Sequence, residues 1–253
     1  MEKYKGNITT RKLVMASFLT ALSIIFTRFL FLMVPLAGLP ALRLSFGESP
    51  IMLSGILFGP LLGGLTGLAA DLIGVVVNPQ GAYFPGFTLS SILWGVVPGF
   101  ISMYFKKVDD GKDYSITNSF LIFLLICGLI RAFFSQQILS SKEGSIYLYD
   151  NLLSMPVMVL YIVVFAVLVL LPIFLRGKFN SKSYFSFDKI VLMVSISYII
   201  VSLGLNTLWL SIMFKKGFLV LFPGRLLSSI VSIPMHSMII SIFSKYFKYA
   251  VRE

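Results

Sequence analysis

Asp71, Arg28, Arg225 and His236 can all do polar chemistry, and each falls inside or at the edge of a long apolar run. A carboxylate at membrane depth must face a partner or a wet cavity. Asp71 and Arg28 therefore admit two readings: a pair that holds two helices in register, or a pair of which one member also touches a polar ligand. Arg225 follows Phe222-Pro223-Gly224; it can snorkel to the interface or present a planar fork to a carboxylate or heterocycle. His236 follows Pro234 and has too few acidic neighbours for a proton relay, so it reads as a hydrogen-bonded packing histidine. Asn206 and Thr207 set two polar groups beside Trp209, an aromatic suited to the interface. Between Asn78 and Thr88, prolines and glycines crowd around Tyr83, Phe84 and Phe87, giving either a shaped lid or part of an aromatic belt.

The catalytic inventory is poor. No phosphate-binding Gly-x-x-x-x-Gly-Lys-Ser/Thr loop is present, so ATP hydrolysis by that route is excluded. His-Glu-x-x-His and Gly-x-Ser-x-Gly are absent, and His236 is the sole histidine. Metal sites need several converging ligands, and here they are scattered. Neither an enzyme nor a metal or cofactor is expected. Cys127 is the single cysteine, which excludes an intramolecular disulfide and reads as a packed thiol.

The elements that must position these groups are membrane spans. Of 253 residues, 57% are hydrophobic and 12% charged, with a mean hydropathy of +0.93. Soluble domains carry about 25% charged residues, so the chain is an integral membrane protein. At about twenty apolar residues per crossing, spans are expected at Leu13–Val34, Phe87–Phe105, Ser119–Leu139, Leu152–Leu175, Ile190–Met213 and Leu226–Phe243. The first reads as an uncleaved span, not a signal peptide. Glu48–Val77, broken at Gly59-Pro60, suits two short helices meeting at a tight turn, with an outward-facing depression at their far ends. Glycines 55, 59, 63 and 67 offer a side-chain-free surface for close helix approach. Eight crossings place fourteen Lys and Arg residues inside and four outside, which explains the net charge of +11 without nucleic acid. Both termini are then cytoplasmic. On the first helix, Ala16, Ser17, Thr20 and Ala21 form small-x-x-x-small pairs, a common but unspecific docking signal.

Taken together, these segments resemble the substrate-binding (S) component of energy-coupling factor (ECF) vitamin transporters, in the folate branch. The resemblance rests on Ala21-Leu22-Ser23-Ile24 with Arg28, Gly55 through Pro60, and Asp71-Leu72-Ile73-Gly74. It continues through Tyr83 to Ser90, Trp94-Gly95, Leu205 to Leu210 and Arg225-Leu226-Leu227, covering roughly residues 10–105 and 190–245. The resemblance implies an all-α six-helix bundle with a vitamin pocket near the outer face, roofed by the loops after helices 1 and 3. It also implies a multi-pass protein of a prokaryotic cell membrane, working with a membrane subunit and two ATPase subunits. The small residues Ala16, Ser17, Thr20 and Ala21 would dock that membrane subunit. Residues 115–180 depart from the pattern as an inserted helical hairpin, within a single transmembrane domain spanning 1–253.

Folate chemistry fits these residues. A pteridine ring wants an aromatic platform and in-plane hydrogen bonds. Tyr83, Phe84, Phe87, Trp94 and Trp209 can stack, at about 0.5–1.5 kcal/mol per aromatic pair beyond burial. Asp71 or Asn206 can meet the ring's amino and amide edge, with Thr207 alongside. The dianionic glutamate tail suits Arg43, Lys215, Lys216 or Arg225. Another vitamin, a stand-alone ion-coupled transporter and a purely structural membrane protein are the competing readings.

Overall fold

The computed structural model describes residues 9–36, 39–79, 81–107, 112–142, 145–148, 151–152, 155–179 and 186–251. Helices dominate. They are α1 (Thr10–Arg28), α2 (Glu48–Phe58), α3 (Pro60–Val77), α4 (Pro85–Lys107), α5 (Ser115–Ser135), α6 (Met155–Phe179), α7 (Phe187–Ser197), α8 (Thr207–Phe214) and α9 (Phe218–Val251). A π-helical segment, Tyr198–Asn206, joins α7 to α8. Two small sheets complete the set: β1 (Phe31–Leu36) with β2 (Leu39–Ser45), and β3 (Leu139–Lys142), β4 (Ser145–Leu148) and β5 (Asn151–Leu152). Six helical stretches are long and apolar enough to cross a membrane, and two shorter apolar helices accompany them among the described residues.

The chain forms two compact units. One comprises residues 9–32, 45–107 and 242–251; the other comprises 33–44 and 112–241.

In the first unit α1 to α4 pack together around missing side chains. A Cβ on Gly63 would lie 2.6 Å from the Gly55 Cα and from the Gly95 carbonyl oxygen; one on Gly55 or Gly95 would overlap backbone outright. The four glycines do not share one helix, because Gly59 sits in the turn between α2 and α3. Its φ of 96° and ψ of 174° form a combination open essentially to glycine alone. A Cβ there would meet nothing within 4 Å, so Gly59→Ala isolates backbone strain. It should cost about 1–3 kcal/mol, read as a lowered thermal unfolding midpoint in detergent. Pro60 then starts α3 with a pre-set φ and no donor to waste.

Polar groups fix the same turn to α4. Lys106 Nζ donates to the Ile56 and Leu57 carbonyls at 3.1 and 3.4 Å, and Ser102 Oγ donates to Ile56 at 2.8 Å. These carbonyls end α2 and have no intrahelical donor of their own. Lys106→Met should cost about 1.5–3 kcal/mol, the range for hydrogen bonds to a charged group, checked by the same melting experiment. Between α2 and α3, Thr66 Oγ1 donates to the Leu62 carbonyl, so Ser54 Oγ donates to Thr66 (2.8 Å each).

The span expected at Leu13–Val34 ends early. Helix α1 stops at Arg28, and Phe31–Leu36 is strand. An apolar run looks the same in either conformation, so hydropathy alone carried the span too far. Conversely, α9 begins eight residues before Leu226 and takes Pro223 inside. Proline cannot donate to the carbonyl four residues back, and Gln136 Nε2 donates to that group, the Leu219 carbonyl.

In the second unit α5, α6 and α7 pack on one another. Asp188, in the first turn of α7, accepts from the Tyr114 backbone N–H at 2.9 Å, and Asn118 Nδ2 donates to the Asp188 carbonyl at 2.7 Å. Just after the π-helical stretch, Thr207 Oγ1 donates back to the Ser202 carbonyl five residues earlier, at 3.2 Å. Such widened turns are rare and concentrate at functional sites. The arginine Arg131 is exposed on α5, and Cys127 is exposed as well, not packed.

Candidate functional site

In the first unit a polar network gathers where α1 ends. Arg28 is the last residue of α1 and is 8% exposed. Its Nη2 lies 3.4 Å from Asp71 Oδ1 and donates to the Asp71 carbonyl at 3.4 Å; Nη1 donates to the Asn78 carbonyl at 3.3 Å. Asn78 Nδ2 returns a bond to the Arg28 carbonyl at 3.1 Å, closing the end of α1 against the end of α3. Gly74 makes room: a Cβ there would sit 2.6 Å from Arg28 Nε.

The second oxygen of Asp71 serves the loop. Thr88 Oγ1 donates to Asp71 Oδ2 at 2.7 Å, and Thr88 and Tyr83 hydroxyls are 2.9 Å apart. A hydroxyl has one proton, so Tyr83 donates to Thr88 and Thr88 donates to Asp71. This chain ties the segment before α4 to a carboxylate on α3. Tyr83 is 50% exposed, while Phe84 and Phe87 meet edge to face at 5.8 Å. The result is a buried ion pair beneath an accessible aromatic surface. Sequence reasoning placed Asn78 and Thr88 at the ends of the aromatic loop without giving either a role; they lie seven and seventeen residues from Asp71, spacings that by themselves suggest no contact.

Trp94 is buried within this unit, six residues along α4 from Thr88, or about 9 Å. On α1, Ala16 and Thr20 are buried, whereas Ser17 and Ala21 are exposed. The outward small face is therefore Ser17 and Ala21.

The second unit holds the remaining residues. Asn206 ends the π-helical segment, and its Oδ1 is fully buried without a hydrogen-bond partner among the described residues. Thr207 is fully buried and Trp209 partly so. Arg225 is 9% exposed on α9, and His236 is fully buried with its ring 5.6 Å from that of Tyr198. Lys215 and Lys216 are exposed after α8. Arg43 lies on β2, and its side chain falls outside the described residues. Among the described residues no group of three His, Cys, Asp or Glu side chains converges as a metal site would require.

Comparison with known proteins begins with a family match over part of the chain. Residues 7–116 match the family model for the ECF-type riboflavin transporter, S component. The folate transporter FolT of Clostridium novyi (strain NT) is 44% identical over 93 residues, covering 37% of this chain and 51% of FolT. The chain thus spans about half the length of that curated relative. A crystal structure of FolT bound with folic acid superposes with a TM-score of 0.52 at 17% identity, covering 96% of both chains, and shows the shared fold. The resemblance to ECF S components of the folate family, drawn from the motifs above, is upheld, as is the all-α transmembrane fold. These relatives are transport proteins.

Proposed function

We propose that this chain is a membrane-embedded binding subunit that captures folate or a related pterin vitamin and delivers it inward with an ECF module. The observation that carries the reading is the divided Asp71 carboxylate, one oxygen beside Arg28 and the other held by the Tyr83–Thr88 relay. Such a carboxylate is fixed in direction, and a flat ligand with amino and amide groups on its edge is the chemistry it suits. Phe84, Phe87 and Tyr83 supply the aromatic surface, and the similarity to FolT favours a pterin. In the second unit Asn206, Thr207, Trp209 and Arg225 are candidate ligand contacts, and Arg43, Lys215 and Lys216 suit an anionic tail. The exposed face of α1 around Ser17 and Ala21 meets the membrane subunit, and two ATPases supply the energy. The positive-inside bias supports cytoplasmic termini, and a prokaryotic cell membrane is the setting that the resemblance implies.

Riboflavin is the second reading, favoured by the name of the matching family model. Its ring is also flat and polar-edged but lacks the glutamate carboxylates. Folic acid titrated into purified protein should quench Trp94 and Trp209 fluorescence with a nanomolar midpoint, competed by reduced folates and not by riboflavin. Competition in the reverse order transfers the assignment to riboflavin. Uptake by vesicles that lack the ATPases would instead support an ion-coupled transporter.

A further inference from the structure

The starts of α5 and α7 meet inside the second unit through a knot of polar groups. Asp113 Oδ1 accepts from the Ser115 backbone N–H at 2.9 Å and from its hydroxyl at 2.7 Å, which holds the first turn of α5. Tyr114 donates its backbone N–H to Asp188 Oδ2, and Asn118 Nδ2 donates to the Asp188 carbonyl, which joins the two helices. Two oxygens of this knot are left over. Asp188 Oδ1 and Asn118 Oδ1 are fully buried with no hydrogen-bond partner among the described residues, and their residues are 5 and 0% exposed. Ser119 Oγ, on the next residue of α5, is buried and unpartnered in the same way.

Neither leftover oxygen can be answered from within. Asn118 cannot turn its amide over, because its nitrogen already meets a carbonyl, which can only accept. Asp188 forms no ion pair among the described residues. Its place in the first turn of α7 favours an anion, and the Tyr114 N–H meets Oδ2; both leave Oδ1 bare. Buried acceptors without a donor are costly, and a buried charge without a countercharge more so.

We propose that Asp188 Oδ1 and Asn118 Oδ1 bind a monovalent alkali cation at the junction of α5 and α7, with Ser119 Oγ the next oxygen at hand. The chemistry of the donors selects this ligand. Every unpartnered atom here is an oxygen, which suits a hard cation and not the softer metals that take Cys and His. One carboxylate balances one positive charge, and no group of three His, Cys, Asp or Glu side chains converges among the described residues to hold a more highly charged ion. A bridging water would satisfy both acceptors but leave the carboxylate unbalanced. The ion pins the two helix starts together, so the stability of the second unit depends on it. This site is independent of the vitamin reading.

The test melts the full chain in detergent in sodium, potassium or N-methylglucamine chloride at one ionic strength. Sodium or potassium should raise the unfolding midpoint above that in N-methylglucamine by about 3–6 °C, as for a ligand at roughly ten times its dissociation constant. The more effective of the two identifies the ion. Asp188→Asn keeps an oxygen for Tyr114 and sets an amide donor in place of Oδ1. It should lose the response and melt in N-methylglucamine at or above the wild-type midpoint. Asn118→Ala removes the second oxygen and should lose the response too, which locates the ion even if Asp188→Asn does not fold. Ser195→Ala, whose buried hydroxyl lies about 10 Å along α7 from Asp188, should keep it. Equal wild-type midpoints in all three salts overturn the proposal in favour of a bridging water. A full response in Asp188→Asn or Asn118→Ala overturns it by placing the ion elsewhere.

Discussion

Asp71→Ala is expected to destabilise the protein by about 3 kcal/mol and to abolish vitamin binding. The stability loss comes from Arg28, which stays buried with its nearest countercharge gone. Breaking a buried pair from one side typically costs about 3–5 kcal/mol, and the lower end applies here because the Asp71 and Asn78 carbonyls still accept from the guanidinium. Asp71 also accepts from Thr88, so the Tyr83 loop loses its tether. Replacing both charges, as Arg28→Met with Asp71→Leu, separates the two effects. Apolar replacement of a complete buried pair is often neutral or better, so the double variant should melt within about 1 kcal/mol of wild type by that argument. It should still bind no folic acid. Thermal unfolding and fluorescence titration on the same samples read both quantities. Tight binding by the double variant would reduce the pair to a register pin.

Gly95→Val should prevent accumulation of folded protein, and Gly95→Ala should cost about 3 kcal/mol, the upper end for overpacking. The ordinary remedy, a neighbouring side chain that swings aside, is missing here. A Cβ at Gly95 runs into the Gly63 carbonyl and lies 2.8 Å from the Gly63 Cα. Relief requires the helices to separate, and that breaks the packing along the whole contact. Gly128→Ala on α5 is the matched control, since its Cβ would meet only a Leu226 methyl at 3.8 Å. Monodisperse yield in size-exclusion chromatography should fall sharply for the first and stay unchanged for the control.

Much of this was legible in the sequence because lipid leaves few options. Charges at membrane depth need partners, which brought Arg28 and Asp71 together across forty-three residues. Gly59-Pro60 announced a break, and the break is there. What escaped reading was governed by groups distant in sequence. Pro223 reads as a helix boundary until Gln136 is known to take the carbonyl it leaves open. The π-helical segment has no compositional signature, and strand β1 shares its apolar alphabet with a span.

The side-chain-free packing of α2, α3 and α4 has a mechanical consequence. Ordinary helix interfaces yield under load because side chains change rotamer and absorb small shifts. Where Gly55, Gly63 and Gly95 meet through backbone there are no rotamers to change, so the interface is stiff. A displacement applied at the Lys106 end of this cluster should therefore be passed toward Asp71 with little taken up by side chains. That is the behaviour of a rigid lever.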